Sequence, residues 1–388
     1  MMMKLPVEPP ITEYLHAKAA RLGIPLNGTF ELTPCCNMAC KMCYVRMTRQ
    51  EQEAVGPLRT AQQWLELGRE ARDQGMLYLL LTGGEPFLRP DFREIVQGLH
   101  REGLVLSINT NGTLIDADTV AWLRRTPPVR MNITLYGASD ATYERLCGNP
   151  RGFTETTAAI RMLREAGILV KLNCSLTPHN AADLPGIFAF ARENGLAIQA
   201  TSYMFPPMRR DTSLIGRNDR FTPEEAAYYS ARIVRELMGD EDYLRMLREQ
   251  GLPALPRDPG EDCPDLPGEG IRCRAGRCSF WVTWNGMLQP CGMFPGDFGV
   301  SLDRLGFAGA WERAKASVES IRLPAGCSGC QAAGNCRACA AMVYTESGSF
   351  HTVPRYRCDM MKAYPGACSR VEAEVLSSMT GGTHVQKI

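Results

Sequence analysis

Short apolar runs that directly follow a glycine are the first regular pattern along this chain. Four segments with helical periodicity end in this way, at Gly75, Gly103, Gly167 and Gly195. Glycine suits the left-handed backbone conformation just past the end of a helix. The apolar runs that follow occupy residues 76–81, 104–108, 168–172 and 196–200. Continuous apolar runs of this length predict strands that are covered on both faces, as in a parallel sheet flanked by helices.

Two further runs, at residues 30–33 and 129–135, bring the number of predicted strands to six. Six parallel strands that each lead into a helix predict an α/β fold, namely a partial (β/α)6 TIM-like barrel rather than a full eightfold one. In such folds the chemistry lies at the carboxyl ends of the strands. We therefore expect functional residues directly after the strands.

The character of the chain changes after the last predicted strand. Thr222 starts a helix that runs to about Met238, and residues 253–270 are rich in proline, glycine and acidic residues, which is typical of a linker. The segment that follows is dense in cysteine and too poor in apolar runs to fold well without metal, and no regular structure is expected from residue 377 onward. The predicted organisation is an N-terminal extension at 1–27, the partial barrel at 28–203, bridging helices and a linker at 204–270, a small cysteine-rich domain at 271–368 and a tail at 369–388.

Composition narrows the classes of function. The chain has 388 residues and a net charge of +1, so no electrostatic affinity for nucleic acid or for an anionic membrane is implied. It contains no run of about 18 apolar residues, and its first ten residues lack the apolar core of a signal peptide. Sixteen cysteines without an export signal indicate metal binding in a reducing cytoplasm rather than a disulfide scaffold.

Cys36, Cys40 and Cys43 form the most informative motif. They follow the strand-like run at 28–33 and lie on one short loop, separated by three and then two residues. Three thiolates can hold three corners of a cubane iron–sulfur cluster, whereas ferredoxin-type clusters use four cysteines and only pass electrons. An open coordination position marks catalytic rather than structural metal sites, so the motif indicates an enzyme. Zinc is the alternative, although zinc sites favour paired two-residue spacers.

This spacing resembles that of the radical S-adenosylmethionine (radical SAM) superfamily. One departure is Met42, where the family usually has an aromatic residue; here Tyr44 follows the third cysteine instead. The resemblance implies a [4Fe–4S] cluster and bound S-adenosylmethionine. A second matching segment follows the second predicted strand, and in the family it holds the methionine amino group, with the glutamate able to face the ammonium. That segment is Gly83, Gly84, Glu85 and Pro86.

The resemblance also implies a cofactor pocket at the ends of the next strands. Asn109 and Asn111 would belong to the nucleoside pocket. Thr134 stands where the family usually has a serine, and Arg145 would hold the carboxylate of the cofactor. Asn173 on the fifth strand is a further candidate. A plain turn is the alternative for the asparagines, and a solvated helix position is the alternative for Arg145.

The C-terminal cysteines resemble the SPASM domain, which carries two auxiliary four-iron clusters. The last spacer, between Cys336 and Cys339, has two residues where the family commonly has three. Two zinc ribbons are the alternative, because paired two-residue spacers also suit zinc. By resemblance, the inner cluster would be held by Cys273, Cys278, Cys291 and Cys339, and the outer cluster by Cys327, Cys330, Cys336 and Cys358.

Most of the remaining cysteines are expected to be buried small hydrophobic residues. Cys174, on a strand near the barrel mouth, is the candidate for a hydrogen-atom donor to a substrate radical, as in radical epimerases. The loop at 204–211 carries Arg209 and Arg210. We expect it to be an ordinary solvated loop, with contact to an acidic substrate segment as the alternative.

The resemblance implies reductive cleavage of S-adenosylmethionine to a 5′-deoxyadenosyl radical, which takes hydrogen from an unactivated carbon. SPASM-bearing enzymes mostly act on peptides, so the expected function is peptide maturation by crosslinking, thioether formation or epimerisation. A flavodoxin- or ferredoxin-type protein would donate the electron. Only about 30 residues precede the cluster loop, too few for a leader-binding domain. Leader recognition would therefore need a separate protein, or the substrate carries no leader.

Three other functions remain open at this point. Tetrapyrrole-modifying enzymes of the same superfamily have a similar cysteine pattern around residues 336–339. Anaerobic sulfatase-maturating enzymes have an aspartate base after the cysteine that corresponds to Cys291, but here Gly292 follows, which counts against that activity. An iron–sulfur electron-transfer protein would need no S-adenosylmethionine pocket, so residues 83–86 argue against it.

Overall fold

The centre of the molecule is a parallel sheet. The structure is a computed structural model, and it describes residues 10–209, 211–253, 255, 271, 273–327, 330–336 and 338–381. The first six strands lie side by side in the order of the sequence, which confirms the predicted partial barrel. They are β1 (Asn27–Glu31), β2 (Tyr78–Thr82), β3 (Val105–Thr110), β4 (Arg130–Thr134), β5 (Val170–Ser175) and β6 (Ala197–Thr201).

Helices precede and connect these strands. The four glycines that mark the predicted helix ends all have a positive φ, as the sequence indicates. The helices of this part are α1 (Pro10–Leu22), α2 (Arg49–Val55), α3 (Ala61–Asp73), α4 (Phe92–Arg101), α5 (Ala117–Leu123), α6 (Asp140–Cys147), α7 (Gly152–Glu165) and α8 (Leu184–Glu193).

The two faces of the sheet differ in polarity. Leu106 and Ile108 of β3 are buried in the apolar core together with helix residues, whereas Asn109 between Ile108 and the strand end is only half-buried. The strand register places Asn109 beside Asn132 of β4, so the polar positions share one face. The inward positions of β3–β6 are therefore largely polar and not apolar as the continuous runs suggested, although Asn132 and Lys171 on this face are buried.

The cysteine-rich segment continues the same sheet. β7 (Ser279–Val282) pairs with β1 in parallel, and β8 (Met287–Gln289) and β9 (Val300–Ser301) follow in antiparallel pairing. Behind them runs α11 (Leu302–Glu319), whose Phe307 ring lies 5.0 Å from that of Phe280 on β7. Backbone hydrogen bonds thus cross the boundary that the sequence suggested at residue 271.

Two long helices pack together beside the barrel. α9 (Pro223–Met238) begins where the sequence predicted, because the Thr222 hydroxyl accepts a hydrogen bond from the Glu225 amide at 3.2 Å. α10 (Asp240–Gln250), α12 (Ala333–Cys336) and α13 (Ala340–Ser347) are shorter. α14 (Arg355–Gly381) lies along α9.

α14 also corrects one expectation about the end of the chain. The sequence predicted no regular structure from residue 377, but α14 is helical as far as Gly381 and crosses the suggested boundary between residues 368 and 369. Most of the predicted linker, at 256–270, falls outside the described residues, as do 1–9 and 382–388. None of the described helices is long and apolar enough to cross a membrane.

A buried ion pair joins the C-terminal helices to the barrel. Arg220 Nη1 lies 2.6 Å from Glu346 Oε1, and the two side chains are 5% and 3% exposed. The Tyr203 hydroxyl, after β6, donates to the same carboxylate at 2.7 Å. The guanidinium of Arg220 also lies 3.5 Å from the ring centre of Tyr356 on α14. Together these contacts fix α13 and α14 over the carboxyl end of β6.

Candidate active site

The three-cysteine loop follows β1 and is fixed by the end of α6. The Ala39 amide donates to the Cys147 carbonyl at 2.7 Å, and the Lys41 amide donates to the Leu146 carbonyl at 3.1 Å. Met42 is buried, so it fills the position between the second and third cysteines as an apolar side chain. The loop is therefore held in place by backbone hydrogen bonds to an element that lies about a hundred residues later.

The three thiols lie in one environment. The pKa of Cys36 is raised to about 12, mainly by burial; a hydrogen bond from the Met38 amide lowers it, and the neighbouring Glu85, Cys40 and Cys43 raise it. A hydrogen bond with the buried Cys147 thiol, together with burial, raises the pKa of Cys40 well above its ordinary value. The thiols of Cys40 and Cys43 therefore lie near enough to Cys36 to influence its pKa.

Backbone amides point at two of these sulfurs. The Met38 amide donates to Cys36 Sγ at 3.4 Å, and the Arg46 amide donates to Cys43 Sγ at 3.2 Å. Such amides stabilise negative charge on sulfur, which is what ligation to iron requires. Three cysteines on a pre-shaped loop, with amide donors on two of them, fit a cluster that has one open iron.

The end of β2 packs directly against this loop. The Gly84 amide donates to the Thr33 carbonyl at 2.6 Å, and the Glu85 amide donates to the Cys35 carbonyl at 2.8 Å. A Cβ atom at Gly84 would lie 2.2 Å from the Cys35 oxygen, and one at Gly83 would lie 2.5 Å from the Thr33 oxygen. The glycines are thus required by the close approach of two backbones, a reason that the sequence did not reveal.

Glu85 is fully buried at the centre of this region. Its carboxylate accepts hydrogen bonds from the Thr110 hydroxyl and the Asn111 amide, both at 2.8 Å, and from the Phe87 amide at 3.1 Å. Burial raises the pKa of Glu85 to about 7, although these hydrogen bonds lower it. Pro86 is also buried and starts the turn that follows. The structure therefore holds Glu85 rigidly beside the cluster loop.

Four of the predicted cofactor residues lie at the same edge of the sheet. Asn111 Nδ2 lies 3.8 Å from Cys36 Sγ, which joins the third strand end to the cluster loop. The Asn132 amide donates to Asn109 Oδ1 at 2.8 Å, and the register pairs Thr134 with Asn173. Asn109, Asn111, Thr134 and Asn173 thus follow one another around the carboxyl ends of β3, β4 and β5.

Two predicted residues lie elsewhere. Arg145 is exposed on α6, and its guanidinium donates to the Thr142 hydroxyl and the His179 carbonyl, both at 3.1 Å. Cys174 is buried on β5 between Asn173 and Ser175. Because neighbouring residues of a strand point to opposite faces and Ser175 faces the cavity, Cys174 faces the helices. This placement does not support Cys174 as a hydrogen-atom donor to substrate.

The four cysteines of the predicted outer cluster come together. Burial raises the pKa of Cys358 on α14, and nearby Cys336, Cys327 and Cys330 raise it further. Burial also raises the pKa of Cys327, and the nearby Cys336 and Cys330 raise it further. These residues come from two segments of chain, so only the tertiary structure assembles the group. Four cysteines are the number that a fully ligated cluster requires, and these four influence one another electrostatically.

The predicted inner group is divided in the structure. Cys273, Cys291 and Cys339 all border the apolar cluster that surrounds the buried Phe294. Cys278, which directly precedes β7, is fully buried in a different apolar cluster that contains Ala19 of α1. The structure thus brings three of these cysteines to one apolar cluster and places Cys278 on another.

An ion pair that the sequence did not predict lies between the two cluster regions. Glu31, at the end of β1, is fully buried, and its carboxylate accepts hydrogen bonds from Arg209 at 3.0 Å and from the Trp281 indole at 3.0 Å. Arg209 also donates to the Gly292 carbonyl at 3.1 Å and lies 5.6 Å from the ring centre of Tyr44. The expectation of a solvated loop is therefore wrong at Arg209. The sequence signal that could have indicated this ion pair is Glu31, a charged residue inside the apolar run of β1.

A cavity of about 310 Å³ opens at the carboxyl ends of β5 and β6. Its lining includes Met42 of the three-cysteine loop and Cys339 of the C-terminal part. Gln199 of β6 and Arg357 of α14 provide polar groups. The cavity therefore lies between the region of the proposed catalytic cluster and a region of the auxiliary cysteines, where a substrate would have to bind.

Comparison with known proteins agrees with this geometry. Residues 30–191 match the family model of the radical SAM superfamily. The AdoMet-dependent heme synthase of Methanosarcina barkeri is 27% identical over 85% of this chain and 95% of the relative. The PqqA peptide cyclase of Gluconobacter oxydans is 28% identical over 54% of this chain and 58% of the relative.

Solved structures show the same fold. Streptococcus suis SuiB, in its crystal structure bound to the precursor peptide SuiA, superimposes with a TM-score of 0.62 at 16% identity, covering 87% of this chain and 78% of that one. The three-cysteine loop, the buried glutamate beside it and the partial barrel all fall within the matched region or border it. Residues 30–191 therefore form a radical SAM domain, and the chain is an enzyme.

Proposed function

We propose that this enzyme cleaves S-adenosylmethionine reductively and abstracts a hydrogen atom from a peptide substrate. The observation that carries the proposal is the cavity whose lining includes Met42 of the catalytic loop and Cys339 of the C-terminal domain. A PqqA peptide cyclase among the relatives and a fold neighbour with a bound precursor peptide support a peptide as the substrate. The modification would be a crosslink, a thioether or an epimerisation.

The residues of the chain have distinct roles in this mechanism. Cys36, Cys40 and Cys43 would hold the catalytic cluster, and Glu85 and Asn111 would orient S-adenosylmethionine beside it. When bound, the catalytic cluster and S-adenosylmethionine together supply the 5′-deoxyadenosyl radical. The buried methionines of the cavity exclude water, which protects a carbon radical from side reactions.

The C-terminal cysteines would hold two further clusters. The electrostatic influence of Cys327, Cys330 and Cys336 on Cys358 supports this part of the proposal for the outer group. The inner group would be completed by Cys278 if it turns toward the other three. These clusters would accept the electron of the product radical. A flavodoxin- or ferredoxin-type donor and a separate leader-binding protein complete the proposed system, which would work in the cytoplasm.

Tetrapyrrole modification is the second candidate. The observation in its favour is the length of the match, since the heme synthase of Methanosarcina barkeri aligns over 95% of its own length. If the substrate is a tetrapyrrole, the enzyme would need no leader-binding partner.

The test uses protein reconstituted anaerobically with iron and sulfide. We expect about twelve irons per chain, and 5′-deoxyadenosine formation after reduction in the presence of S-adenosylmethionine. The Cys36→Ala variant should lose cofactor cleavage and about four irons. Iron without cofactor cleavage, or zinc in place of iron, would overturn the proposal. Mass spectrometry after incubation with peptides from neighbouring genes, or with iron tetrapyrroles, separates the two candidate substrates.

A further inference from the structure

The described residues that line the cavity offer hydrogen-bond donors and thioethers but no carboxylate. Five of the residues that line it are methionines, and none of the described lining residues is acidic. Methionine side chains adapt their shape and bind bulky apolar groups well. The cavity therefore favours a ligand with a large apolar body, and the polar groups in its wall determine which charge that ligand carries.

Arg357 is the cation of this wall. Its side chain is buried, with the residue 6% exposed, and Nε and Nη2 donate to the Cys336 carbonyl at 2.8 and 2.5 Å. Nη1 donates to the thioether of Met360 at 3.3 Å. Within the described part of the chain, no carboxylate forms an ion pair with Arg357. A thioether is a weak acceptor, so a ligand carboxylate would readily replace it.

Gln199 adds a second donor to the same cavity. Lys171, one layer deeper on β5, donates to Gln199 Oε1. Because this bond uses the amide oxygen, the amide NH2 group remains as the donor toward the cavity. The strand register places Arg130 and Lys171 on the inward face of β4 and β5, where no acidic residue stands at the inward positions of β3–β6.

We propose that the cavity binds a carboxylate group carried on a bulky apolar body, with Arg357 and the Gln199 amide as its partners. This inference rests on the proposed function and specifies its substrate class. Two sources share the chemistry, namely the side chain of an acidic residue in an apolar peptide and the propionate of a tetrapyrrole. An amide or ester of the same shape would lack the charge that Arg357 recognises.

Equilibrium binding to the oxidised, reconstituted enzyme tests the proposal without any turnover. The probes are a short Leu-Glu-Leu peptide with blocked ends and its Gln counterpart, and mesoporphyrin and its dimethyl ester. At least one acid should bind about tenfold or more tightly than its neutral partner, since a charge-assisted hydrogen bond is lost in the neutral one. The acid that does so identifies the source. Equal affinities within both pairs, or no saturable binding by either acid, would overturn the proposal.

Variants locate the binding group. Arg357→Met should reduce the affinity for the acid to that for the neutral probe, and Arg357→Lys should restore part of it. Arg355→Met is the matched control. It removes the same charge, but Arg355 is exposed and lies two residues before Arg357 on α14. Iron content is measured in each variant because Arg357 also holds the Cys336 carbonyl. An Arg357→Met protein with full iron content and unchanged preference for the acid would contradict the assignment.

The proposed function fails in a different way. If the reduced wild-type enzyme forms no 5′-deoxyadenosine, the radical mechanism is refuted, while the binding preference for acids is unaffected. Conversely, intact cofactor cleavage with no preference for acids would refute only the inference about the carboxylate. Gln199→Leu should weaken binding of the acid more than that of its neutral partner.

Discussion

Replacing Gly84 by alanine should disable the catalytic cluster through a clash between two backbones. The new Cβ would lie 2.2 Å from the Cys35 oxygen, 2.6 Å from the Cys35 carbonyl carbon and 2.7 Å from the Pro34 oxygen, where ordinary contacts begin at 3.4 Å. None of these atoms belongs to a flexible side chain. The end of β2 and the three-cysteine loop must therefore separate by about 1 Å.

The separation breaks the contacts that join the two segments. The hydrogen bonds from the Gly84 and Glu85 amides to the Thr33 and Cys35 carbonyls would be lost, at about 0.5–1.5 kcal/mol each. Overpacking adds about 1–3 kcal/mol. The expected loss in the free energy of unfolding is about 2–6 kcal/mol, and it is concentrated where the cluster binds.

Iron analysis, cofactor cleavage and chemical unfolding check this prediction. Gly84→Ala should retain about four fewer irons than the wild type and form little 5′-deoxyadenosine. Gly366→Ala is the control, since no atom lies within 4 Å of its new Cβ and the residue is inside α14. That variant should gain up to about 1 kcal/mol from helix propensity. Full iron content, wild-type cleavage and unchanged stability in Gly84→Ala would refute the reasoning.

Three further predictions follow from buried groups. Arg220→Met leaves the Glu346 carboxylate buried without its partner, so chemical unfolding should show a loss of about 3–5 kcal/mol; breaking the exposed Arg370–Glu374 pair should cost under about 1 kcal/mol. Cys358→Ser should lose about four irons while retaining cofactor cleavage, whereas Cys368→Ser, outside both cysteine groups, should keep its iron. Cys174→Ala should keep product formation, because Cys174 faces the helices. Loss of product with intact cofactor cleavage would instead indicate that Cys174 donates a hydrogen atom to the substrate radical.

The sequence alone determined the elements and the local motifs. Strand positions, helix ends at glycines and the start of α9 at Thr222 depend on neighbouring residues, and these predictions are confirmed. The three-cysteine loop and residues 83–86 are also local, because a short chain segment fixes which groups can meet. For this reason the spacing of three cysteines was sufficient to predict the superfamily.

Contacts between distant residues could not be predicted in this way. Glu31 and Arg209 are 178 positions apart in the chain, and no local pattern states that a buried carboxylate and a loop cation will meet. The role of Gly84 depends on a carbonyl of another segment, and the side of the sheet that Cys174 faces depends on how β5 registers with β6.

The cavity is the clearest case of a feature that only the tertiary structure decided. Its walls combine a loop after β1, the ends of β5 and β6 and the helix α14. Arg357 becomes significant only because that packing buries its charge with no carboxylate partner in the described part of the chain. Local sequence fixes which groups are available. The burial of charge and the shape of a cavity are properties of the packed whole, because solvent is excluded only when distant segments come together.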